Sequence, residues 1–153
     1  MGSISTKSGD DGFCYIVGKR LPKSDLVIEL LGDLDELNSF LGLAKAHQTD
    51  EELKNEIEKI QMCLIPIMGE IAGGAEAVIS VDCLEALCDK YFCEELVRFS
   101  VPGKTKASAY LDVARTVARR AERKATVVLK KSATVPWLNR LSDVLFAMAR
   151  YTE

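Results

Sequence analysis

The stretch LDVARTVARRAERKA, residues 111–125, decides the fold. Leu111, Ala114, Val117, Ala118, Ala121 and Ala125 recur at three- and four-residue intervals, the period of one helix face. The stripe is built of small side chains, so it predicts a long helix, from about Lys106 to Leu129, packed closely on its neighbours. Working back from it, Phe99-Ser100-Val101-Pro102-Gly103 is a connector, and before that Ser80 or Asp82 caps a short helix with Leu84, Leu87, Cys88 and Tyr91 inward. Thr49-x-x-Glu52 opens a longer one on Leu53, Ile57, Ile60, Leu64, Ile67 and Ile71, kinked at Pro66 and stopped at Gly73-Gly74. Asp33 reads as an N-cap with Glu36 as its capping-box partner, starting a helix on Leu34, Leu37, Leu41 and Ala44 that ends near His47. Working forward, Leu138, Leu141, Leu145 and Met148 mark a last helix from about Pro136 to Arg150.

Before Leu31 the chain is punctuated by Gly2, Gly9, Gly12, Gly18 and Pro22 and reads as a loop-rich arm. The expectation is therefore an all-α protein, a five-helix antiparallel bundle with a loop-rich N-terminal arm. It forms one domain over residues 1–153, with the arm at 1–31 and the bundle at 32–153.

Composition narrows the function. A net charge of −3 gives no global attraction to nucleic acid, so any anion site is local. No apolar run reaches the roughly 18 residues needed to cross a bilayer, and the N-terminus lacks a secretory pattern. The expected location is the cytoplasm, with no membrane and no nucleic-acid partner. The five cysteines (Cys14, Cys63, Cys83, Cys88, Cys93) include no C-x-x-C pair, and His47 is the one histidine, so reduced and mostly buried thiols are expected rather than a zinc site.

Chemistry concentrates in three places. Arg115, Arg119 and Arg123 stack at four-residue spacing with Glu122 beside Arg119; such a run is either a solvated basic face or a set of cations awaiting an anion or a neighbouring acid. Asp35 is one candidate acid, opposite the apolar stripe of its helix, and its other reading is simple N-terminal helix charge. Asn139 and Asp143 share a polar face of the last helix, either solvated or a pocket wall. Thr6-Lys7-Ser8-Gly9-Asp10-Asp11-Gly12 holds the ingredients of an anion nest, and of a surface turn, with Lys19 and Arg20 following. Gly103-Lys104-Thr105 mimics the end of a P-loop, but Arg98 stands where the earlier glycine is needed.

Taken in order, Thr6 through Gly12, Gly18-Lys19-Arg20, Gly32 through Ser39, Phe99 through Gly103, Ala114 through Arg123 and Leu138 through Asp143 resemble the ATP:corrinoid adenosyltransferases of the propanediol-utilisation type. The resemblance covers nearly the whole chain. It implies a homotrimer with active sites between subunits, and transfer of the 5′-deoxyadenosyl group of ATP to cob(I)alamin, giving adenosylcobalamin and triphosphate. On that resemblance Thr6, Lys7, Ser8, Gly9, Asp10, Gly12, Lys19, Arg119, Glu122 and Asn139 contact ATP or its magnesium, with Glu122 the candidate metal contact. Asp35 and Arg115 form an inter-subunit ion pair that shapes the catalytic site with Arg119, and Phe99, Asp35 and Arg115 face the corrinoid. A corrinoid reductase and an adenosylcobalamin-dependent enzyme are the implied partners.

The departures from the family pattern are Ser8, Phe13 and Cys14 where threonine is usual, a lone Gly18 where a glycine pair is usual, Pro66 within a helix, and Lys104 in place of a glycine near the expected corrinoid edge. They leave open a second reading, a trimeric corrinoid-delivery protein without catalysis, and a third, an all-α interaction module.

Overall fold

The computed structural model describes residues 7–91 and 100–153. Thr6, Cys93 and Phe99 lie outside the described residues. The element order is β1 (Phe13–Ile16), β2 (Lys19–Pro22), α1 (Leu26–His47), α2 (Glu51–Ile71), α3 (Asp82–Tyr91), α4 (Lys106–Val128) and α5 (Thr134–Tyr151). The all-α bundle is as expected; the arm is more ordered than expected. β1 and β2 pair antiparallel, Phe13 with Pro22 through Ile16 with Lys19.

α4 is the central helix, packed on α1 on one side and on α5 on the other. Its Ala114, Ala118, Ala121 and Ala125 are fully buried, which lets both neighbours approach closely. Leu30, Leu34, Leu37 and Leu41 of α1, Leu53, Ile57 and Leu64 of α2, and Leu138, Leu141 and Leu145 of α5 complete the core. Trp137 is fully buried with them. Thr105 caps α4, its hydroxyl accepting from the Ser108 amide at 3.0 Å, so the Gly103-Lys104-Thr105 run is a helix cap and not a P-loop.

Three expectations are corrected. α1 begins at Leu26, not Asp33: the Asp25 carboxylate accepts from the Val27 amide at 2.9 Å and caps the helix, placing 26–31 in the bundle. Asp33 is instead buried inside α1, where Arg120 Nε meets it at 3.0 Å and Lys124 Nζ at 3.0 Å. Glu36, its supposed capping partner, also pairs with Arg120. Asp50, not Thr49, caps α2 by accepting from Glu52 and Leu53 amides. α2 runs without interruption through Pro66, which sits on its exposed side. It stops as expected at the glycine pair, in a Schellman turn: the Gly74 amide donates to Gly69 O and the Gly73 amide to Glu70 O, each at 2.9 Å, with Gly73 at φ +98°. The four described cysteines are free, Cys14, Cys63 and Cys88 half-buried and Cys83 exposed, so none is a core thiol.

The hairpin turn is Val17-Gly18, with φ +37° and +75°. A two-residue turn with both φ positive suits Asn-Gly and strains a β-branched residue. The tip rests on the end of α2, since a Cβ at Gly73 would lie 3.5 Å from Val17 Cβ. Val17 remains 60% exposed and so gains little from packing. Val17→Asn is expected to stabilise the protein by about 1 kcal/mol, measured by denaturant unfolding; a loss of stability would show that the tip contact outweighs the strain.

A latch closes the hairpin's other end. Arg20 Nη2 donates to Asp11 Oδ2 at 2.7 Å and its guanidinium lies 3.7 Å over the Phe13 ring, while Asp11 Oδ1 accepts from the Phe13 amide at 3.1 Å. The Arg20 hydrogen bond, and then the Phe13 amide, hold the Asp11 carboxyl below the usual aspartate range. A lowered folded pKa means that the latch is fully present above the unfolded value of about 3.9 and is lost as pH falls through the folded one. The Asp11 carboxyl carbon should titrate below about 3.9 by NMR, and Arg20→Ala should move it up toward the ordinary value, short of it by what the Phe13 amide still contributes.

Candidate functional site: a polar groove between the last two helices and an N-terminal loop

The register of α4 on α5 builds the first half of the site. Arg115 lies 5.9 Å from the centre of the Phe146 ring. The two helices run antiparallel, so a turn further along α4 to Arg119 matches a turn back along α5 to Asp143, and two turns bring Glu122 level with Asn139. Arg119 and Asn139 are exposed and Glu122 half-buried, and none of the three side chains has a hydrogen-bond or ion-pair partner among the described residues.

Their neighbours are all engaged. Arg115 Nε meets Asp112 Oδ1 at 3.5 Å, Arg120 takes Asp33 and Glu36, and Lys124 takes Glu29 and Asp33. Arg140 takes Asp143 at 2.8 Å and Glu85 at 3.4 Å, and Arg123 Nη1 donates to the Arg119 carbonyl at 3.0 Å. The arginine run is therefore sorted: Arg123 has a carbonyl and no acid, and Arg119 alone of the run's guanidiniums makes no bond among the described residues, leaving a fork of donors whose geometry matches phosphate.

The second half is the loop before β1. Lys7 (φ +56°) and Gly12 (φ +82°) bracket two overlapping turns, the Asp10 amide donating to Lys7 O at 3.4 Å and the Gly12 amide to Gly9 O at 3.3 Å. The paired residues of this segment divide their labour. Asp11 and Arg20 form the latch, while the side chains of Asp10, Lys7 and Lys19 have no partner among the described residues. Gly9 is tightly enclosed: an added Cβ would meet Lys23 Nζ at 3.2 Å and Phe13 O at 3.3 Å. That places the Lys23 ammonium over the loop that Lys7 opens, whereas Lys19 sits at the other end of the hairpin, opposite Ile16. Sequence reasoning missed Lys23 because only the hairpin, through the Lys23 amide donating to Gly12 O at 2.9 Å, brings it back onto Gly9.

Asp35 is exposed on α1 and its carboxylate has no partner among the described residues; it does not meet Arg115 there. Ser8 is exposed. Thr6 and Phe99 fall outside the described residues. Phe13 and Cys14, two of the departures, are absorbed by the hairpin, under Arg20 and against Leu21 O at 3.8 Å. Lys104, a further departure, is paired with Glu153 at 2.7 Å. No helix among the described residues is long and apolar enough to cross a membrane.

The chain matches known proteins along its length. It is 40% identical over 163 residues to a corrinoid adenosyltransferase of Bacillus subtilis, covering 96% of this chain and 84% of the relative, and 36% identical over 167 residues to one of Citrobacter freundii, covering 98% and 94%. Its fold superposes on a variant of the PduO-type ATP:corrinoid adenosyltransferase from Lactobacillus reuteri complexed with cobalamin and ATP, with a TM-score of 0.83, 32% identity and coverage of 97% and 90%. A second variant from the same organism, complexed with ATP, gives a TM-score of 0.82 at 34% identity, covering 97% and 93%. The cobalamin adenosyltransferase family model matches residues 4–152, and the chain belongs to that family.

Proposed function

We propose that this chain transfers the 5′-deoxyadenosyl group of ATP to the cobalt of cob(I)alamin, releasing triphosphate, at sites formed between adjacent subunits of a homotrimer. The observation that carries this reading is the polar face of Arg119, Glu122 and Asn139, whose side chains have no partner among the described residues while Arg115, Arg120, Lys124 and Arg140 beside them are ion-paired. Side chains left without partners there on two separate elements, this face and the loop, suit a ligand gripped from both sides.

The substrate cobalt supplies the nucleophile. Its electron pair forms the Co–C bond to the 5′ carbon while the C–O bond breaks and its pair leaves on triphosphate, so no proton transfer by the protein is needed. The chain's own contribution is positioning and charge. Arg119, with Lys7 and Lys23 from the loop and Lys19 from the hairpin, offsets the charge that grows on the leaving triphosphate. Asn139 supplies amide donors and an acceptor for the nucleotide, Ser8, Gly9, Asp10 and Gly12 shape the loop around it, and Thr6 extends that loop. Phe99 faces the corrin with Asp35 and Arg115.

Among the described residues no three His, Cys, Asp or Glu side chains cluster as a metal cage, which fits magnesium carried in by phosphates with a single protein carboxylate. Glu122, unpaired beside Arg119, is that carboxylate, and magnesium held there would neutralise phosphate charge. Cob(I)alamin implies a corrinoid reductase that supplies the reduced substrate, and the product implies an adenosylcobalamin-dependent enzyme that receives it. We place the reaction in the cytoplasm.

Arg119→Ala should abolish turnover in an anaerobic assay with chemically reduced cob(I)alamin and Mg-ATP, read from the cobalt spectrum and triphosphate release. Stability should change by less than about 1 kcal/mol, because Arg119 has no partner to lose. Near-normal turnover in this variant would sink the site. The shared site is tested by mixing. Lys7→Ala and Arg119→Ala subunits, each inactive alone, should regain activity when co-assembled, with about a quarter of the sites intact on random mixing. No recovery would place loop and arginine of one site in the same subunit.

A further inference from the structure

Five side chains of alternating charge run from the connector into α4. Lys104 Nζ meets Glu153 Oε2 at 2.7 Å, Glu153 Oε1 meets Arg150 Nη2 at 2.9 Å, Arg150 Nη2 also binds Asp112 Oδ2, and Asp112 Oδ1 meets Arg115 Nε at 3.5 Å. The three central side chains are 5–8% exposed. Stability alone does not explain the arrangement, since desolvation of buried ions offsets most of their attraction and apolar residues of similar volume would serve as well. Its geometric effect is specific. Asp112 places one oxygen on each arginine, and both guanidiniums flank the Phe146 ring, at 5.9 Å for Arg115 and 5.2 Å for Arg150. Arg115 is thus held by its Nε and by the ring, and its two Nη groups make no hydrogen bond or ion pair among the described residues.

We propose that Asp112 is a positioning residue: with Arg150, Glu153 and Lys104 behind it, it fixes the Arg115 guanidinium so that its free edge forms the corrinoid half of the site. The inference rests on the adenosyl-transfer reading above. It assigns the network to the corrinoid rather than to ATP because the network leads to the connector at Lys104, whereas Arg119, Glu122 and Asn139 lie outside it.

The test is steady-state kinetics of the full chain with cob(I)alamin and Mg-ATP varied separately, alongside thermal melting. Asp112→Asn should raise the KM for corrinoid by about tenfold and leave the KM for ATP within about twofold. Asp112→Glu should restore part of the loss, and Asp112→Asn should add nothing further in an Arg115→Lys background. Should Asp112→Asn fail to fold, Arg150→Lys, which keeps both charges, should show a smaller rise in the corrinoid KM alone. The proposal is overturned by a fall in melting temperature and kcat with both KM values unchanged, by an equal rise in both, or by full additivity with Arg115→Lys. Absence of adenosyl transfer by the unaltered chain would instead overturn the reaction itself, and the proposal with it.

Discussion

The close packing of α4 on two neighbours at once is the constraint from which the rest follows. Ala114, Ala118, Ala121 and Ala125 have no exposed surface, and a larger side chain at any of them would push α1 or α5 away. With the buried stripe reserved for small residues, the long charged side chains of α4 are forced to its flanks. Arg120 and Lys124 fall on the α1 flank, where the buried Asp33 neutralises them; Arg115 falls on the α5 flank, over Phe146. Arg119 lies one turn further along the α5 flank, level with an Asp143 that Arg140 already holds, and its charge stays available.

Much of this was legible in residues whose partners are close in sequence. The stripes of α2, α4 and α5 lie where spacing puts them, because a core face depends on helix period alone. The start of α1 was misread for a definite reason. Asp33-x-x-Glu36 has the form of a capping box, and Gly32 before it looks like a break, but the carboxylate of Asp33 answers cations 87 and more residues away, a demand that no local pattern reveals. The hairpin escaped notice because its strands are four residues each and Val17 occupies a turn position that favours Asn or Gly.

The candidate site divides along the same line. That Arg115, Arg119 and Arg123 share a face is visible from spacing; that Asp112 takes Arg115 on one oxygen and Arg150, 38 residues on, on the other, while Arg119 meets no acid among the described residues, is not. Likewise Asp10 and Asp11, or Lys19 and Arg20, are indistinguishable as residue types, and only the latch separates the structural member of each pair from the free one. Lys23 and Lys104 show the same limit: spacing tells neither that Lys23 folds back over Gly9 nor that Lys104 has an acid to pair with in Glu153.

The two halves of the site treat charge in opposite ways, and the substrates account for the difference. A triphosphate brings its own negative charge, so cations that receive it gain most if no internal acid already occupies them; pairing them in the free protein would add a cost to binding. The corrinoid half needs shape more than net charge. There a guanidinium serves best when its orientation is set in advance and its charge is balanced from behind, which is what one oxygen of Asp112, the Phe146 ring and the chain of ion pairs to Lys104 accomplish. A single helix can present both kinds of arginine, four residues apart, because its α5-facing flank has a buried acid at Asp112 and none one turn further on.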